Sequence, residues 1–282
     1  MKCPLCNRTD YTTSTIVLND LRRKSRIASC RNCGLWFLLD LKKSRAQVYT
    51  ENYSVWGQDE QSEEKLVESS KKVHFAYILS LLNKKFPLKN KTLLDIGTGK
   101  GYLLEVAKTM GVKNCYGLEL SKFAARIAEK KFPKRIFNCA IGDIHTNTKF
   151  DIITLTDLVE HLPKIRSDFK KIHSLLKPGG VLLITTPNTD SLTRKIRPQQ
   201  WFQYKFEHVI YFNKKSMRYM LQGYDVIALR NNTKKLKAGY YRLYLKKYSS
   251  PVTRALFPRV VDNVSLKNPF LGELFVIAKK TK

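Results

Sequence analysis

Two groups of residues in this 282-residue chain are typed and spaced for chemistry. The first is Cys3, Cys6, Cys30 and Cys33, two C-x2-C pairs with 23 residues between them. Four thiolates so placed can close a tetrahedron around one zinc ion at about 2.3 Å. All four positions are cysteine, so no coordination position stays open for catalysis. Gly34 follows the second pair, where a chain folding round a metal needs backbone freedom. Two disulfides or a redox C-x2-C are the other readings; the duplicated pair argues for metal. The second group is LLDIGTGKGYL, residues 93–103. There Asp95 ends an apolar run, and Gly97, Gly99 and Gly101 follow at every second position. Glycines in a strand-to-helix turn let the backbone come close to a ligand, which then meets the N–H groups opening the helix. The spacing is G-x-G-x-G, not the G-x-G-x-x-G of dinucleotide sites, and no GK[ST] ends it. A carboxylate just before the first glycine repels phosphate and favours a ligand with a cationic amine.

The elements that must hold these groups follow from periodicity. Residues 12–30 read as a short hairpin between the cysteine pairs. A segment so small cannot bury enough apolar area alone, so a metal staple makes physical sense. Residues 62–86 carry apolar side chains at helical spacing, including Leu66, Val73, Tyr77 and Leu81, with Pro87 and Asn90 as stops. From Thr92 strands alternate with helices. Strands are expected at 92–97, 115–120, 135–143, 150–157 and 179–188, with helices at 102–111, 121–132 and 165–177. Ser121 caps the second of these helices. Further strands at 223–230 and 271–280 close the pattern, the last one antiparallel. This is the rhythm of a doubly wound, mostly parallel α/β sheet with a small N-terminal zinc ribbon, and such sheets bind ligands at the carboxyl ends of their strands. The division is 1–45 ribbon, 46–90 helical linker or lid, and 91–282 main domain with a basic insertion at about 233–268. Cys115 and Cys139 sit in apolar strand contexts and read as core residues. Tyr49, Tyr53 and Trp56 either cover a pocket or pack a seam between domains.

With these residues in place the chain resembles the class I S-adenosylmethionine-dependent methyltransferases. The resemblance rests on Asp95-x-Gly97-x-Gly99-x-Gly101, then GLELS, AIGDI, FDIITLTDLVEHLP, LLKPGG and VLLITTPN, in order. It implies a seven-stranded Rossmann-like sheet and S-adenosylmethionine as cofactor. It implies that Glu119 binds both ribose hydroxyls and that Asp143 faces adenine. Thr98, Leu120, Ile144 and Thr156 complete the implied cofactor contacts. The segments DLVEHLP, TPN and EHVIYFNKKSM narrow the resemblance to the group of ubiquinone-biosynthesis-like and sugar methyltransferases. Several of these carry a four-cysteine zinc module ahead of the main domain. The sugar C-methyltransferases among them use a Glu-His pair in a segment like FEHVIYF, here Glu207 and His208. Those enzymes continue into a long extra domain and this chain does not, so C-, O- and N-methylation all stay open.

His161 and His208 are the candidate general bases, because imidazole titrates near neutrality. A structural hydrogen bond is the alternative reading for each. Trp201, Phe202, Tyr204, Tyr211 and Phe212 either wall a substrate pocket or seal a hydrophobic edge. The chain carries 52 Lys and Arg against 23 Asp and Glu, a net charge of +29. Twenty of those cations and five of the acids fall in residues 190–282. Such a surface draws anionic partners, or is a lysine-rich bias spread over solvated faces. The expected acceptor is a small anionic metabolite, a sugar nucleotide or glycan precursor. The alternative is RNA, docked on the ribbon and the basic last third. Against RNA, TDLVEHL stands after the fourth strand where amino-directed base methylation uses Asn/Asp-Pro-Pro-aromatic. No run approaches the ~20 apolar residues of a membrane span. MKCPLCNRTD has no apolar stretch, so no secretory leader and a cytoplasmic location are expected.

Overall fold

The computed structural model describes residues 1–40, 61–241, 243, 262–268 and 272–281. Tyr49, Tyr53 and Trp56 lie outside the described residues. The chain opens with β1 (Tyr11–Leu18), β2 (Arg23–Cys30) and β3 (Trp36–Leu38), an antiparallel meander. Helix α1 (Gln61–Asn83) follows, ending where the Asn83 side chain accepts the Leu88 N–H. Then come β4 (Thr92–Ile96), α2 (Tyr102–Thr109), β5 (Asn114–Leu118), α3 (Lys122–Lys131), β6 (Ile136–Phe137) and β7 (Phe150–Thr156). After these come α4 (Ile165–Leu175), β8 (Leu176–Pro187), α5 (Leu192–Ile196), β9 (Ile210–Tyr211), α6 (Lys214–Met220) and β10 (Tyr224–Asn231). The last elements are β11 (Lys234–Lys237), β12 (Ser265–Asn268) and β13 (Glu273–Lys280).

Seven strands form the main sheet in the order β10-β13-β8-β7-β4-β5-β6. The β6-β5-β4-β7-β8 run is parallel, and β13 lies antiparallel between β8 and β10. Successive strand residues point to opposite faces, so a sheet covered on both sides needs continuous apolar runs. The chain supplies them. Leu93, Ile152, Val181, Leu183, Phe275 and Ile277 pack on one face with α1 and α2. Leu94, Ile153, Leu155, Leu182, Ile184 and Val276 pack on the other with α4 and α6.

Three elements differ from expectation. The strand expected at 135–143 keeps two residues, because Asn138 turns its amide to the Glu119 and Leu120 carbonyls and a 3-10 turn, Ile141–Asp143, follows. Helix α4 stops at Leu175 rather than 177, since the residue before Pro178 resists helical geometry. In the basic insertion, β11 and β12 pair antiparallel, a pairing that the sequence does not mark. The ribbon is also less separate than its sequence suggests. Trp36 and Phe37 of β3 pair with Tyr211 and Ile210 of β9, so its sheet is finished by the main domain. Trp201, Tyr204 and Tyr211 are fully buried against Ile16, Leu18, Ile27 and Leu38, and so seal that junction. Phe212 is likewise buried, and Phe202 packs beside the same cluster.

Candidate active site

The turn from β4 into α2 holds Gly97, Gly99 and Gly101 at φ of 77°, 56° and 80°. Side chains resist this left-handed region. A Cβ at Gly97 would stand 2.9 Å from Leu158 Cδ1, whereas one at Gly99 would meet nothing within 4 Å. The space in front of Gly99 is open. Glu119, one residue past β5, accepts the Gly99 N–H on one oxygen and the Ser121 N–H on the other, both at 2.8 Å. Each oxygen keeps a second lone pair. Ser121 caps α3 as expected, accepting the Ala124 N–H. Asp95 is 2% exposed and accepts the Thr154 hydroxyl at 2.6 Å; burial pushes its carboxyl up to about 7. Thr98 is buried beside it and Thr156 is half-buried at the end of β7. Leu120 and Asp143 are exposed on the rim, while the Ile144 side chain belongs to the core. Lys100 in the turn pairs with Glu64, tying α1 to this edge of the sheet.

The other half of the crevice lies past the end of β7. Asp157 adopts φ 50°, an uncommon conformation for a residue with a side chain. Its carboxylate accepts the Thr185 hydroxyl at 3.2 Å and the Lys234 ammonium at 2.9 Å. Lys234 also pairs with Glu273 at 2.6 Å. Despite desolvation, Lys234 holds Asp157 down to about 2. Glu273, buried on β13, is pushed up to about 7 by its burial. Glu160 follows on a 3-10 turn, Val159–His161, is 1% exposed and accepts the Thr186 hydroxyl at 2.9 Å. Burial raises its carboxyl well above the ordinary range. His161 sets Nδ1 3.0 Å from the Glu207 carbonyl, and His208 sets Nδ1 2.8 Å from the Gln203 carbonyl. The two rings meet edge to face with centroids 4.8 Å apart. Burial lowers both imidazoles, so each is neutral at physiological pH. The Glu207 side chain is half-buried, and its backbone is what meets His161.

The four ribbon cysteines come together with Sγ atoms within 4.8 Å of one another. Cys3 and Cys33 are 3.6 Å apart, Cys6 and Cys30 3.4 Å, and none is in a disulfide. The two C-x2-C turns are alike. Asn7 and Gly34, next after each second cysteine, have φ of 64° and 77°. Each returns its N–H to the carbonyl of its pair's first cysteine at 2.9 Å. The hydrogen bond between Cys33 and Cys3 lowers the Cys3 thiol and raises that of Cys33, as two thiols sharing one proton do. A soft four-sulfur set suits zinc.

The family described as "Methyltransferase domain" matches residues 70–227, more than half of the chain. The chain belongs to this methyltransferase family. The ubiquinone biosynthesis O-methyltransferase of Coxiella burnetii is 33% identical over 116 residues, covering 39% of this chain and 49% of that one. The ribosomal protein L11 methyltransferase of Fusobacterium nucleatum is 27% identical over 129 residues, covering 42% and 40%. The chain thus spans about half the length of the curated relatives it matches. A solved S-adenosylmethionine-dependent methyltransferase from Clostridium acetobutylicum superposes with a TM-score of 0.50 at 15% identity, over 78% of this chain and 96% of that one. It shares the Rossmann-like methyltransferase fold.

Within this methyltransferase domain the expected cofactor residues lie at the carboxyl ends of β4 and β7 and in the turns after β4, β5 and β6, apart from the Ile144 side chain, which belongs to the core. Sequence reasoning missed Asp157, Lys234 and Glu273. Asp157 stood in plain view beside Thr156, but nothing local marks a left-handed aspartate. Lys234 is brought to it from 77 residues away and Glu273 from β13, across β8. Only the ion pairs reveal them.

Proposed function

We propose that the chain is an S-adenosylmethionine-dependent methyltransferase acting on a small-molecule acceptor. The observation that carries this is the glycine turn whose Gly99 N–H fixes Glu119 at the edge of an open space. The residues fit the group. Glu119 has a spare lone pair on each oxygen for the two ribose hydroxyls, as charge-assisted bonds. Asp95 offers a carboxyl to the cofactor's amine, and the missing Cβ at Gly99 allows close approach of the backbone. Leu120, Asp143 and the Ile144 backbone border the adenine side; Thr98 and Thr156 flank the turn. The bound cofactor supplies an already activated methyl group on sulfur. The chain's task is to orient the acceptor, exclude water and manage its proton. His161, Glu207 and His208 stand on that side. Each imidazole donates Nδ1–H to a carbonyl, which puts the ring's lone pair on Nε2.

Cys3, Cys6, Cys30 and Cys33 are read as the ligands of one structural zinc, within a ribbon of residues 1–45. Residues 46–90 are read as a helical linker or lid and 91–282 as the methyltransferase domain. The acceptor read from the sequence is a sugar nucleotide or glycan precursor, supported by the cationic last third of the chain. Incubation with methyl-labelled cofactor, a panel of sugar nucleotides, a metabolite extract and total RNA tests this. Label in a small anionic product is expected; label in RNA alone would reject the acceptor class. No helix among the described residues is long and apolar enough to cross a membrane.

A further inference from the structure

We propose that His74 of α1 is a specificity residue of the crevice, donating its Nε2–H to a phosphate oxygen of the molecule to be methylated. Helix α1 is tied to both halves of the crevice. Near its start Glu64 pairs with Lys100 of the glycine turn. Lys71 stands seven residues on, two turns and about 10 Å along the same face. His74 is its neighbour three residues later. Here the helix is held to the basic insertion: Ser70 Oγ accepts the Lys237 N–H at 2.9 Å, and His74 Nδ1 accepts the Lys235 N–H at 3.3 Å. Lys234, the next residue of β11, reaches Asp157 at 2.9 Å past the end of β7.

The His74 ring is 5% exposed, and its Nε2 has no hydrogen-bond partner among the described residues. A backbone N–H can only donate, so Nδ1 holds the lone pair and Nε2 carries the proton. Burial draws this imidazole down to about 3, so it stays a neutral donor. A buried donor left unmet is costly, and such groups are as a rule satisfied. The charged groups that act on the ring are Asp157 and Lys234. Lys234 is itself a donor, and the Asp157 oxygens already accept from Thr185 and Lys234. An oxygen brought by a ligand meets the need. Charge makes that oxygen anionic. Burial lowers the Lys71 ammonium to about 8, and Lys234, Lys100 and Lys205 press on it against the carboxylate of Asp157. A phosphate has oxygens enough to accept from the imidazole and to lie among these cations. That the phosphate belongs to the acceptor rests on the methyltransferase reading; its capture by His74 does not.

Histidine 1H–15N spectra of the full-length chain, titrated with inorganic phosphate, test the proposal. His74 should show the Nε2–H tautomer, and that signal should move as phosphate binds. A signal that stays put throughout overturns the proposal, and this reading of the parent stands if a variant fails to fold. Two substitutions then separate recognition from packing. In His74→Asn the amide oxygen takes the place of Nδ1 and still accepts the Lys235 N–H, with nothing at Nε2. In His74→Gln the amide nitrogen takes the place of Nε2 and can donate there. Phosphate affinity should fall about 10-fold in His74→Asn and recover in His74→Gln. The reverse order, or parent affinity in His74→Asn, overturns the proposal. With methyl-labelled cofactor and a metabolite extract, phosphate should compete with formation of the small labelled product. Phosphate that binds at His74 without slowing transfer overturns the assignment to the acceptor. Phosphate binding at His74 with no cofactor binding in any form would sink the methyltransferase reading and leave the His74 site standing.

Discussion

Replacing Glu119 with alanine takes away the two proposed ribose acceptors and the anchor of the Gly99 N–H. Hydrogen bonds to a charged group contribute about 1.5–3 kcal/mol each. Cofactor affinity should therefore fall at least ~100-fold by calorimetry, and an unchanged affinity removes Glu119 from the site. Asp95 gives a second prediction, about pH. Its folded carboxyl, pushed to about 7 by burial, binds a proton more tightly than the free group at 3.8. Its contribution to stability is thus fully present below about pH 4 and is lost as pH rises through about 7. Glu273 is raised to about 7 by burial and works in the same direction. Asp157, lowered to about 2, acts below that window. Asp95→Asn should flatten part of the decline, by on the order of a few kcal/mol between about pH 5 and 7.5 in urea melts. A slope identical to the parent's contradicts the assignment. The glycines, Glu119 and the cysteines were legible at this scale because their roles are local to a turn. Asp157 was not, since its meaning comes from Lys234 and Thr185, which only folding brings near it.

At the scale of elements, β9 is the join. It pairs with β3 of the ribbon and begins two residues after His208. Asn213 and Lys215, opening α6, also grip the second cysteine turn through the Gly34 and Arg31 carbonyls. Loss of the metal proposed for the ribbon should therefore loosen the crevice as well. Cys30→Ser/Cys33→Ser should speed hydrogen exchange over residues 204–212 in addition to residues 1–38. Acceleration confined to residues 1–38 would show the two parts to be uncoupled. The long strands and α2, α3 and α4 were legible because apolar period and caps agree there. The edge strand β6 was misjudged: 135–143 is apolar enough for a strand, but one side-chain amide diverts it. The aromatic run 201–212 was ambiguous, since buried rings and pocket rings have the same composition.

For the molecule as a whole, charge is the dominant global quantity. At +29, like charges repel across a compact body, and salt screens that repulsion. Thermal stability should rise by several degrees between about 50 and 300 mM sodium chloride. A flat or falling Tm would mean that the ion pairs at Lys100, Lys177 and Lys72 outweigh the net repulsion. The mostly parallel sheet and the antiparallel last strand could be read in advance because connection rules leave few alternatives once strands and helices alternate. How ribbon and domain share a core could not, because no local pattern shows which strand of one will border the other.

That shared border bears on biosynthesis. The ribbon's outer strand, Trp36–Leu38, waits for Ile210–Tyr211 to reach it. A growing chain at the ribosome exposes that hydrophobic margin while some 170 further residues are made. Metal can enter the cysteines early, yet the first-made piece is finished among the last. A nascent protein arrested before residue 210 should carry the proposed zinc and still be prone to stick to its neighbours.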